Sequence, residues 1–94
     1  MFREDERNEF KKTTSELNEA MISISSILNK HGSGKIYFGL KNNGTPNRFT
    51  IADSTIRDVS RKIFEAIRSQ IFPEIKTEFI DDVEIIIVDF EGKN

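Results

Sequence analysis

Near its C-terminus the chain reads Val83-Glu84-Ile85-Ile86-Ile87-Val88-Asp89-Phe90, with four consecutive β-branched residues at the centre. Strand side chains alternate between the two faces of a sheet, so a strand that is apolar on both belongs in the middle of one, covered on both sides. The stretch before it, Glu74 to Ile80, has strand character and ends at Asp81-Asp82, so the two read as a hairpin. At 94 residues the chain is long enough to bury one core and too short for two. The central strand therefore fixes the kind of fold available.

Two amphipathic helices supply the cover. Leu17, Ala20, Met21, Ile24, Ile27 and Leu28 recur at helical spacing, with Glu16, Asn18, Glu19 and several serines on the other side. Thr13 is the expected cap because Glu16 stands three residues on, as a capping box requires. Gly32 and Gly34 are expected to stop this helix, and Lys30 near its end suits the helix dipole. The second helix has Asp53 or Ser54 as its cap and Ile56, Val59, Ile63, Ile67 and Ile71 as its buried stripe, and Phe72-Pro73 should end it. Its outer face, with Arg57, Asp58, Arg61, Lys62, Glu65 and Arg68, carries mixed charge, as solvated faces do.

Between the helices, Lys35 to Leu40 predicts a strand with Ile36, Phe38 and Leu40 on one face. Lys41-Asn42-Asn43-Gly44 is a tight turn, and Arg48 to Ile51 a short returning strand. Before the first helix, Phe10 is the one apolar residue in Asn8 to Lys12 and would anchor a short edge strand guarded by lysines. The predicted order is strand, helix, two strands, helix, two strands: an α+β domain spanning residues 1–94, with a mixed or antiparallel sheet and two main helices.

The net charge of −2 conceals an uneven distribution. After Glu19 no acidic residue occurs until Asp53, and Lys30, His31, Lys35, Lys41 and Arg48 all fall within that window. The C-terminal stretch from Asp81 to Glu91 is acidic. Lysines in two turns on either side of a rigid strand, beside free backbone amides around Gly32 to Gly34, are suited to holding phosphate. Gly32-Ser33-Gly34-Lys35 lacks Walker spacing and leads into a strand, which excludes a nucleotide-hydrolysing loop. The chain has no cysteine and one histidine, so disulfides, thiol chemistry and histidine-clustered metal sites are not available. No run reaches membrane-spanning length, and the charged start is unlike a signal peptide; a cytoplasmic protein is expected.

The order of these features resembles the Schlafen AlbA-like domain, also described as a divergent AAA domain. The resemblance is carried by Glu4 with Glu9-Phe10-Lys11, by Leu28-Asn29-Lys30-His31-Gly32 with Gly34, by Tyr37-Phe38-Gly39-Leu40-Lys41-Asn42-Asn43-Gly44, and by Val88-Asp89-Phe90-Glu91-Gly92. It implies a nucleic-acid-binding module of bacterial transcriptional regulators, favouring DNA, with ATPase-like and winged-helix regions downstream; the chain then reads as part of a longer protein. Some Schlafen relatives are metal-dependent RNA nucleases that use two glutamates before the first helix and an aspartate after the glycine-ended strand. Glu4 and Glu9 match the glutamates, but Lys41 or Asn42 stands where the aspartate is expected. A hard cation wants several anionic oxygens, so neither a metal nor another cofactor is expected. The reading is a non-catalytic nucleic-acid-binding domain whose contacts are Lys30, His31, Lys35, Lys41 and Arg48. Its rivals are a nuclease using Glu4 and Glu9, and a protein-interaction module or homodimer.

Overall fold

The computed structural model describes residues 3–67 and 71–93. Arg68, placed by its spacing on the second helix's outer face, lies outside them. The elements are β1 (Asn8–Lys11), α1 (Leu17–His31), β2 (Ser33–Phe38), α2 (Asp53–Ile67), β3 (Ile71–Ile80) and β4 (Val83–Gly92), with a single 3₁₀ turn at Thr14–Glu16. The four strands form one mixed sheet in the order β1-β2-β4-β3. β1 runs parallel to β2, and the other two pairings are antiparallel. The Ile85–Val88 run thus lies in an interior strand, with β2 along one edge and β3 along the other.

Both helices cover the same face. Ala20, Met21, Ile24 and Ile27 of α1 and Val59, Ile63 and Ile67 of α2 form one core with Ile36, Phe38, Ile86, Val88 and Phe90. On the opposite face Phe10, Tyr37, Leu40, Ile85 and Ile87 form a second buried cluster that contains no helix residue. The expected cover on both sides is therefore asymmetric. The register sets Lys76 opposite Ile87 and Glu78 opposite Ile85 on that second face, where long side chains can shield apolar neighbours with their stems.

Leu40 does not share a face with Ile36 and Phe38, as strict alternation predicts. Gly39 has φ +111°, and this turn of the backbone carries Leu40 to the second cluster. A Cβ on Gly39 would meet Phe49 Cε1 at 2.9 Å and Ile85 Cγ2 at 3.0 Å. The returning strand predicted over Arg48 to Ile51 does not form; the turn closes only a bridge between Leu40 and Pro46. The reason is that β2 already has β1 on one edge and β4 on the other, so no edge is open to a hairpin return. Phe49 and Ile51 pack on the core instead.

Helix ends also differ in detail from the expected ones. Thr13 Oγ1 accepts from the Ser15 N–H, whereas the Glu16 carboxylate accepts from Lys12 N–H and so reaches one residue beyond the expected partner. Asp53 is the first residue of α2, and neither it nor Ser54 caps it. Thr55 Oγ1 accepts from Ala52 N–H, and the Ala52 carbonyl receives the N–H groups of Thr55 and Ile56. Asp53 serves the helix dipole from the first turn. Ile71, Phe72 and Pro73 belong to β3 and not to α2; Ile71 still reaches the core its spacing implied, from a strand.

Of the two glycines expected to stop α1, only Gly32 does so. Its φ is +81° and its N–H donates to the Leu28 carbonyl at 3.1 Å. Gly34 lies inside β2, where a Cβ would come within 2.6 Å of the Arg7 carbonyl oxygen and 2.7 Å of Ile27 Cγ2. It lets β2 approach α1 and the segment before β1. Gly34→Ala is therefore expected to lower the unfolding free energy by about 1–3 kcal/mol through overpacking. Gly32→Ala, which meets nothing within 4 Å, should cost about 1 kcal/mol for its backbone conformation alone. Urea denaturation of the two variants checks this ranking; a larger loss for Gly32→Ala would contradict it.

Candidate nucleic-acid interface

The candidate cations separate into two groups at the two ends of β2. At its start lie Lys30 and His31, in the last turn of α1, and Lys35 in the strand. At its end lie Lys41 and Arg48, in the loop that follows. With about 3.3 Å per strand residue, Lys35 and Lys41 are on the order of 20 Å apart along the strand. The two turns do not close into one cradle.

At the first end the positive charge is largely answered. His31 Nε2 lies 3.3 Å from Glu6 Oε2, a pair that is ionic when the imidazole is protonated. Lys35 Nζ lies 3.9 Å from Asp89 Oδ2, its neighbour across the β2–β4 ladder. Lys30 is exposed and lines a 470 Å³ cleft between α1 and the segment before β1, together with His31, Ser26 and the carboxylates Asp5, Glu6 and Glu9. These acids come from a part of the chain that a sequence window around Lys30 does not include. Tyr37, in the middle of β2, is buried. It meets Phe10 edge-on with ring centroids 5.4 Å apart, and its hydroxyl donates to Asn8 Oδ1 at 3.3 Å. Burial, with Asp89, Asp5 and Glu78 nearby, pushes its phenol above the usual tyrosine range.

At the second end the cations are arranged differently. Because β1 and β2 are parallel, their C-terminal ends lie side by side. The N–H groups of Gly39 and Leu40 both donate to the Lys11 carbonyl, at 2.7 and 3.2 Å. Asn47 then ties the loop down from both ends: its N–H donates to the Gly39 carbonyl at 2.7 Å and its Nδ2 to the Lys12 carbonyl at 3.0 Å. The loop's own turn is held by Lys41 N–H to Thr45 O, by Gly44 N–H to Lys41 O, and by Asn43 Oδ1, which accepts from both the amide and the hydroxyl of Thr45. Lys12, Lys41 and Arg48 are all exposed here, among Asn42, Asn43 and Asn47. None of the three makes an ion pair among the described residues. Lys12 has the sequence signature of an edge guard; the parallel β1–β2 pairing is what brings it to Lys41. The Asp81-Asp82 turn is at this same end of the sheet, because β4 starts where β2 finishes.

Glu4 and Glu9 are brought together, as the nuclease alternative requires. Asp5 Oδ1 accepts from Arg7 N–H and Asn8 Nδ2, which turns the chain into β1, and the Glu4 carboxylate accepts from Phe10 N–H at 3.0 Å. Those bonds to Asn8 and Arg7 hold the Asp5 carboxyl below its ordinary range. Burial, and then the neighbouring Glu4 charge, raise the Glu9 carboxyl, and Lys11 at 3.7 Å partly offsets them. Among the described residues no group of three or more His, Asp or Glu side chains could hold a metal ion. Lys41 and Asn42 follow β2 where a third carboxylate would be needed.

A four-stranded mixed sheet with two helices on one face, and a basic loop at the ends of its parallel strands, makes a small α+β domain. The chain belongs to the Schlafen AlbA_2 family, whose model matches residues 4–94, and that match makes it a nucleic-acid-related domain. No curated protein matches it. No helix among the described residues is long and apolar enough to cross a membrane.

A Glu9 carboxyl held up by a like charge should respond when that charge is removed. In Glu4→Gln the Glu9 midpoint, followed by carbon NMR of the carboxyl, is expected to fall toward the ordinary glutamate value. Since the folded value is raised, Glu9's contribution to stability is full below its unfolded midpoint and is lost as pH rises through its folded one. The loss should shrink in Glu4→Gln. An unmoved Glu9 midpoint would mean that burial alone sets it.

Proposed function

We propose that this domain binds nucleic acid without cleaving it, gripping phosphates through Lys12, Lys41 and Arg48 and, less strongly, through Lys30 at the other end of β2. One observation carries the reading: within a nucleic-acid-related family, the exposed cations at the joined ends of β1 and β2 have no acidic partner among the described residues, whereas His31 and Lys35 do. Side-chain amides of Asn42, Asn43 and Asn47 add neutral donors at the same place. Contacts of this kind supply affinity and register but little sequence information. DNA is the favoured polymer, and the setting a cytoplasmic regulatory protein in which, as the family resemblance implies, ATPase-like and winged-helix regions follow the domain.

A nuclease reading draws on the proximity of Glu4 and Glu9. Lys11 beside Glu9 and a lysine or asparagine in the third position oppose it, because a divalent cation needs anionic oxygens where these side chains supply a positive charge or a neutral amide.

The test is fluorescence anisotropy with a short duplex across a salt series. Each phosphate contact contributes a log–log slope of about −0.9, so a Lys12→Ala, Lys41→Ala, Arg48→Ala variant should lose roughly two to three units of slope. Lys35→Ala, which removes a cation already paired with Asp89, should change the slope by much less than one unit per residue. An unchanged slope in the triple variant would reject the assigned surface. Cleavage of structured RNA with Mg²⁺ or Mn²⁺ that disappears in Glu9→Gln would replace binding with catalysis.

A further inference from the structure

The basic loop leaves the far edge of the sheet unexplained. β3 is a ten-residue edge strand, and around it three phenylalanines are open to solvent: Phe64 of α2 at 59%, Phe72 at 61% and Phe79 at 72%. A 610 Å³ groove runs between α2 and β3, walled by Ile63, Phe64, Ile71, Phe72 and Ile75. Solvent-facing edges are ordinarily kept short or charged to prevent pairing. Here the strand is long, and its charges have a particular order.

The hairpin geometry decides which backbone groups face outward. Ile80 and Val83 flank a two-residue turn in which Asp81 and Asp82 have φ +51° and +64°, the conformation of a type I′ turn. In such a hairpin the flanking pair exchanges both hydrogen bonds, and alternate pairs along the ladder do the same. Ile80, Glu78, Lys76, Glu74 and Phe72 therefore bond to β4. Pro73, Ile75, Thr77 and Phe79 turn their backbone groups to the free edge, whereas Ile71, which alternates with them, is buried.

We infer that this edge receives a second copy of the chain, antiparallel, about a two-fold axis at Ile75. In that register the outward groups of Ile75 meet those of Ile75 in the other copy, and Thr77 meets Pro73. About four backbone bonds form, with the two proline donors missing. Glu74 lies opposite Lys76 of the other copy, twice by symmetry. Each Phe79 lies diagonally beside the exposed Pro73 of the other copy, at the border of its groove and on the helix-covered face. Shifting the axis to Lys76 sets Glu74 against Glu78, and shifting it to Glu74 sets that glutamate against itself. An axis at Thr77 keeps a Lys76–Glu78 pair but runs Pro73 into the Asp81-Asp82 turn. The charge order, with Pro73 kept clear of the turn, thus fits one partner in one register: this chain, paired about Ile75 of β3. The surface is separate from the basic loop and independent of its function.

Sedimentation velocity on the 94-residue chain tests this without nucleic acid. The wild type should show twice the 10.8 kDa monomer mass as concentration rises. Lys76→Glu alone and Glu74→Lys alone should each weaken the dimer about tenfold or more, by setting like charges opposite each other. Both residues are exposed, so circular dichroism should show both variants folded. An equimolar mixture of the two should recover the dimer, since each copy then meets its complement. Amide exchange should slow with concentration at Ile75 and Thr77 and stay constant at Lys76 and Glu78. A wild type that is monomeric up to about 0.5 mM, or a dimer that the single substitutions leave intact, overturns the inference.

Discussion

The fold depends on a strand paired along both edges. β4 pairs with β2 over Ile86 to Glu91 and with β3 along its whole length, so Ile86 to Val88 have ladder partners on both sides while Ile85 to Val88 are shielded above and below. A buried amide without a partner is costly, and a run this apolar is tolerated in the interior because both ladders pass through it. Other features follow from that arrangement. With β4 on one edge of β2 and β1 on the other, the segment after Gly44 cannot return as a strand. It becomes an extended loop that presents Arg48 to solvent and sends Phe49 and Ile51 into the core.

The close approach of β2 to α1 is the second constraint, and it reaches the functional surface. Gly34 lets the strand pass against Ile27 and the Arg7 carbonyl, and Lys35 N–H donates to that carbonyl at 2.7 Å. This fixes β1 in parallel register with β2 and brings Lys12 to the end where Lys41 and Arg48 emerge. The same approach carries the acidic segment of Asp5 and Glu6 under Lys30 and His31. One packing event therefore makes one end of β2 cationic and the other nearly neutral.

The asymmetry of the sheet has a further consequence. Both helices lie on one face, and the second cluster rests on Phe10, Tyr37, Leu40, Ile85 and Ile87 under long charged side chains. Exposed aromatic surface gathers instead near the β3 edge, away from the basic loop. Binding of a polyanion and association of copies would therefore use opposite sides of the domain, and neither would obstruct the other.

The sequence by itself determined the α+β class, both helices, the β3–β4 hairpin and the interior position of β4, because period-3.6 and period-2 patterns and a strand apolar on both faces allow few alternatives. The family was legible in the motifs around Asn29 to Gly44. Only the tertiary structure decided which charges are available. Glu6 and Asp89 are far from His31 and Lys35 along the chain and adjacent to them in space, whereas Lys12, far from Lys41 in sequence, becomes its neighbour through a parallel ladder. The face of Leu40 and the end of α2 were likewise not local properties: one follows from the backbone turn at Gly39, the other from Ile71 joining the core through a strand. Periodicity records which residues a segment buries; charge pairing and strand neighbours depend on contacts that no local window contains.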